Sequence, residues 1–143
     1  LLQQRCDRLV DITVTAALGI AALVQSAPAR AGDVSNAQLS CYVDTYAYDY
    51  GTIGECWGGW TPSTASNPST AVFEVVGVPA GSYTYYWTDV TTGQVGVCAT
   101  GGSYCFRSIR VGRSKTVRVT VIDNATGASK TVTATAYYED AWH

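Results

Sequence analysis

The sequence has no methionine, only two phenylalanines and a single histidine, His143, in its last position. A nucleophilic triad needs a base oriented by a third group, and a side chain at a chain end is expected to be held too loosely for that role. No catalytic residue is therefore assigned, and the chain is expected not to be an enzyme. Charge is scarce as well: Asp, Glu, Lys and Arg make up 14% of the residues, against roughly a quarter in an ordinary globular domain. The formal net charge of −2 is too small for nucleic acid or an anionic membrane to be captured by bulk electrostatics. Long apolar runs are missing too. The one extended apolar stretch, from Ile12 to Val24, is interrupted by threonines and falls short of the ~20 residues that span a bilayer.

What is plentiful is Gly, Thr, Tyr and Val, a strand-and-turn composition. The length suits one domain with a short extension. Arg5 and Arg8 precede the apolar stretch, and Ala29-Arg30-Ala31 supplies a small-residue end, the three-part layout of a secretory signal peptide. Residues 1–31 are thus read as a helical leader and 32–143 as the domain, with no stable membrane span after cleavage. Removing the leader leaves six basic and nine acidic residues, a net charge of −3, and an even set of cysteines.

Those four, Cys41, Cys56, Cys98 and Cys105, are most simply two disulfides in an exported small domain. Pairing Cys41 with Cys56 and Cys98 with Cys105 is favoured because each couple is close in sequence and closes a Gly- and Tyr-rich loop short of apolar anchors. A bridge over about 15 residues contributes ~3 kcal/mol in the chain-entropy model. A long-range bridge between sheets is the alternative. No Cys-x-x-Cys pair is present, so metal ligation by the thiols is disfavoured, and no metal site or cofactor is assigned.

Two-residue alternation marks the strands. Val117, Val119 and Val121 alternate with Thr116, Arg118 and Thr120, and after the turn at 123–127 Val132, Ala134 and Ala136 alternate with Thr131, Thr133 and Thr135, a hairpin with one buried face. Upstream, residues 71–78 read as a strand, and Tyr83, Tyr85 and Trp87 share one face of the next. Val95 and Val97, Leu39 to Val43, and Phe106 to Val111 add further strands. The expected fold is all-β: a sandwich of six to seven short antiparallel strands.

Gly81-Ser82-Tyr83-Thr84-Tyr85-Tyr86-Trp87 followed by Lys115-Thr116-Val117-Arg118-Val119-Thr120-Val121-Ile122-Asp123 resembles bacterial immunoglobulin-like, PKD-related modules over roughly residues 70–138. The acidic Gly-rich stretch that usually follows the Trp of a PKD module is replaced by Thr88–Gly93. The resemblance implies an immunoglobulin-like sandwich acting as a spacer, adhesion or substrate-proximity module of a secreted or cell-surface protein, without catalysis.

Three surface features bear on partners. Tyr42, Tyr46, Tyr48, Tyr50, Trp57 and Trp60 crowd the segment around the first expected bridge. Flat amphipathic rings of this kind stack on sugars and anchor protein partners, so Tyr46, Tyr48, Trp57 and Trp60 are the candidate ligand-binding residues, for a polysaccharide or a protein. The same rings can instead close the open end of a small core. Arg107, Arg110, Arg113, Lys115 and Arg118 form a basic stretch, read either as solvated edge charges or as an anionic-polysaccharide contact. Among the acids, Asp44, Asp49 and Glu55 are weighed as a carboxylate pair for glycoside hydrolysis and Asp44, Asp89 and Asp123 as calcium ligands. Both rank below local turn hydrogen bonding.

Overall fold

A computed structural model describes residues 32–45, 49–63 and 65–141. The leader assigned to residues 1–31, with Tyr46, Tyr48 and His143, lies outside the described residues. The described part is all-β, without a helix, and its strands form two sheets. The four-stranded sheet runs in the order β2 (Thr52–Ile53), β1 (Gln38–Val43), β4 (Ser69–Val76), β7 (Tyr104–Ile109). The five-stranded sheet runs β3 (Glu55–Trp60), β9 (Ser129–Asp140), β8 (Arg113–Asp123), β5 (Tyr83–Asp89), β6 (Gln94–Val97).

The alternation read from the sequence sets which face is buried. Val117, Val119 and Val121 of β8, Ala134 and Ala136 of β9, Trp87 of β5 and Phe73 of β4 pack between the sheets. The outer face of the five-stranded sheet is rich in threonine, with hydroxyl pairs Thr116–Thr135 and Thr120–Thr131 at 2.9 and 2.8 Å across β8 and β9. Such cross-strand pairs reinforce the register.

The strand inventory differs from the expected six or seven in three ways. Nine strands occur among the described residues, β8 and β9 are long at 11 and 12 residues, and not every pairing is antiparallel. β3 runs parallel to β9, with Glu55 opposite Thr135 and Trp60 opposite Asp140. β3 escapes an alternation search because its inward positions are Cys56 and Gly58 rather than branched residues. A Cβ on Gly58 would stand 2.6 Å from the Cβ of Val43, so only glycine lets β3 close on β1 here.

Both disulfides form, Cys41–Cys56 and Cys98–Cys105. Although each pair is local in sequence, each joins one sheet to the other: Cys41 on β1 to Cys56 on β3, and Cys98, just after β6, to Cys105 on β7. The sandwich is therefore stapled near both of its sides. Such bridges suggest an oxidising environment, and among the described residues no helix is long and apolar enough to cross a membrane.

Candidate functional site

The Cys41–Cys56 bridge holds β1 against the edge strand β3, the two cysteine Cα atoms 5.7 Å apart. Beside it the chain leaves β1 at Val43, loops back through Asp49 and Tyr50, and returns as β3, framing a cleft of about 310 Å³. Val43, Gly58 and Gly59 line its base, the rings of Tyr42, Tyr50 and Trp57 its walls, and Thr45 and Asp49 supply its polar groups. Tyr50 is 75% exposed and Trp57 60%. Trp57 is the cross-strand partner of Tyr137, and the two rings stack with centroids 5.3 Å apart and planes 10° from parallel. One face of the indole is thereby covered and its position on the sheet fixed.

Asp49 is held by its neighbour: Thr45 donates its amide to both carboxylate oxygens, at 3.1 and 3.2 Å, and its hydroxyl to Oδ1 at 2.9 Å. The adjacent Asp44 carboxyl is pushed above the usual range by burial, reinforced by the charge of Asp49 and a hydrogen bond with it. Burial, followed by the charges of Asp44, Asp49 and Glu74, also raises the Tyr42 phenol. Negative charge is thus concentrated at this end of the cleft, in front of rings able to stack on a ligand. Glu55 lies on the outer face of β3 and does not line the cleft.

The structure places the sequence-assigned residues unequally. Trp57 lines the cleft, whereas Trp60, three residues further along the same strand, points to the opposite face and packs half-buried against the core. Tyr46 and Tyr48 are outside the described residues. Tyr137, which seats Trp57, was not among the candidates, yet it follows Thr131, Thr133 and Thr135 at two-residue spacing and so had to fall on the exposed row.

The acidic residues weighed as calcium ligands have other occupations. Asp89 is fully buried and accepts from Arg107 at 2.9 Å and Lys115 at 3.2 Å. Asp123 is equally buried and caps its own turn through the Ala125 amide and the Thr126 hydroxyl. Among the described residues no group of three or more His, Cys, Asp or Glu is placed to hold a metal ion. No protein-family model, curated protein or solved structure matches the chain.

Proposed function

We propose that this chain is an exported, non-catalytic binding module of immunoglobulin-like type that acts in the medium or at the cell surface, and that the cleft beside Cys41–Cys56 receives a saccharide. Support for the immunoglobulin-like reading comes from the two face-to-face sheets and from Trp87 buried near the centre of a middle strand, features of that class. Support for export comes from the signal-like residues 1–31 and the two disulfides.

The observation that carries the ligand reading is the convergence of Tyr42, Tyr50 and Trp57 with Asp49 and Thr45 on one concave site next to a covalent staple. Rings that stack on sugar faces, beside fixed oxygens that accept from sugar hydroxyls, are the groups saccharide recognition requires. Asp49, engaged three times by Thr45, serves here as an acceptor. The test is titration of intrinsic fluorescence with neutral xylan, glucan and chitin oligosaccharides. At least one series should shift the emission, and Trp57→Ala and Tyr50→Ala should each weaken it roughly tenfold or more. No response to any series, or unchanged affinity in both variants, would reject the reading.

A protein partner is the second reading, favoured by a different surface. Tyr104 and Phe106 project from β7 on the outer face of the four-stranded sheet, stacked at 6.3 Å and with Phe106 58% exposed. Loss of adhesion or capture on Phe106→Ser, with saccharide binding intact, would favour that surface.

A further inference from the structure

A second cleft, of opposite charge, lies at the same end of the sandwich. β7 ends at Ile109 and β8 begins at Arg113, and the turn between them is closed by the Arg113 amide donating to the Arg110 carbonyl at 3.1 Å, with Gly112 at φ 73°. This tight reversal brings Arg110 and Arg113 to the mouth of a cleft of about 260 Å³, which Lys115, Ile109 and the hydroxyls of Thr91, Ser108 and Ser114 complete.

The cations there are not equivalent. Lys115, with Arg107 behind it, is committed to the buried Asp89. Arg110 and Arg113 are exposed and have no ion-pair partner among the described residues. One buried carboxylate thus faces Arg107 and Lys115, and two further guanidinium groups remain in excess. Planar forks beside hydroxyl donors are the geometry that grips a carboxylate or sulfate through paired hydrogen bonds.

The two clefts are linked. A smaller polar cleft lined by Asp44, Thr45, Ser66, Pro68, Ser69 and Thr70 lies between them. Thr45 belongs to both it and the aromatic cleft, and Ser69 pairs with Ile109 of the basic one. One end of the sandwich therefore presents rings and acid on one side, hydroxyls in the middle and free arginines on the other.

We infer that Arg110 and Arg113 seat the oxyanion of an acidic saccharide, a uronate or sulfated sugar, carried on the same polysaccharide chain whose neutral residues occupy the aromatic cleft. This rests on the saccharide reading above and specifies its ligand class. An extended chain matches a run of adjoining clefts better than a compact solute does. A polyanion of uniform high charge density, such as a nucleic acid, would also meet the Asp44–Asp49 end, where like charge repels it.

The experiment compares the full chain with Arg110→Gln/Arg113→Gln, both exposed positions, by calorimetric titration and amide-shift mapping. Its probes are a xylan oligosaccharide bearing a single glucuronate branch, the unbranched neutral xylan oligosaccharide, inorganic sulfate and a single-stranded oligonucleotide. The double variant should bind the glucuronate-branched oligosaccharide about tenfold or more weakly, keep any neutral affinity, and melt at the wild-type temperature. Shifts caused by the glucuronate branch should map to residues 108–115. Sulfate should bind far more weakly than the saccharide.

Wild-type affinity of the double variant for the glucuronate-branched oligosaccharide, or shifts mapping elsewhere, would overturn the inference. Sulfate binding as tightly as the oligosaccharide would make this a free-anion site, and tighter oligonucleotide binding lost with the two arginines would make it a nucleic-acid contact. Either result also overturns it. If Trp57→Ala leaves saccharide affinity intact while the arginine variant loses it, the aromatic cleft fails and the arginine site stands.

Discussion

The indole nitrogen of Trp87 donates a 2.9 Å hydrogen bond to the carbonyl of Gly102, tying the buried centre of β5 to the tip of the loop closed by Cys98 and Cys105. The bridge and the indole therefore hold one loop from two sides. Replacing both cysteines by serine removes a seven-residue closure, worth about 2–3 kcal/mol in the chain-entropy model, and frees the Gly102 carbonyl to leave its donor. Denaturant unfolding should show that loss, and the Trp87 emission should shift to the red as water reaches the indole. Unchanged emission would mean that the loop keeps its place without the bridge.

At Gly58, β3 lies tight against β1: a Cβ there would stand 2.6 Å from the Cβ of Val43. Gly58→Ala should cost roughly 1–3 kcal/mol through overpacking. Adding Val43→Ala should relieve part of that cost, so the double variant should be more stable than the sum of the singles. Thermal unfolding of the four proteins measures the coupling, and simple additivity would show that the strands can separate to admit the methyl.

Acid should act on Asp44 and Asp89 in opposite senses. Burial alone would raise the Asp89 carboxyl, but the Thr92 amide, Lys115 and Arg107 overcome it and hold the group below the ordinary carboxylate value. Its contribution is complete above the unfolded value of about 3.9 and is lost as pH falls through the lower, folded one. Asp44 is raised, so its contribution is present at low pH and lost as pH rises through its folded value. Carboxyl-carbon NMR titration should place Asp44 above and Asp89 below the usual range. Asp89→Asn should destabilise by about 3 kcal/mol, because Arg107 and Lys115 then face inward without an anion, and should flatten the acid limb of the stability curve. The reverse order of the two midpoints would contradict this account.

Much of the scaffold was legible because it rests on local rules. The alternating valines of β8 and alanines of β9, the turn at 123–127 and the inward Trp87 follow from two-residue periodicity, and the disulfide partners follow from their short separations. β3 was hidden because its pairing with β9 links positions 55 and 135 and its buried positions carry no branched side chain. Strand geometry already spread the basic stretch over two faces and a turn, but not its partners: inward parity sends Arg107 and Lys115 to Asp89, turns Arg118 outward and leaves Arg110 and Arg113 at the cleft. At the aromatic site the odd spacing of Trp57 and Trp60 already forbade a shared face once the segment was extended, but the extension itself was not evident from Glu-Cys-Trp-Gly-Gly-Trp.

The alignment of β3 with β9 also orders events during biogenesis. Residues 55–60 gain their hydrogen-bonding neighbour only when residues 135–140 have been made, so this border of the sheet stays open until then, and such distant pairings slow folding. An early Cys41–Cys56 link would keep that ribbon beside β1 in the interval, which makes oxidation before β9 emerges an aid to assembly rather than a final lock.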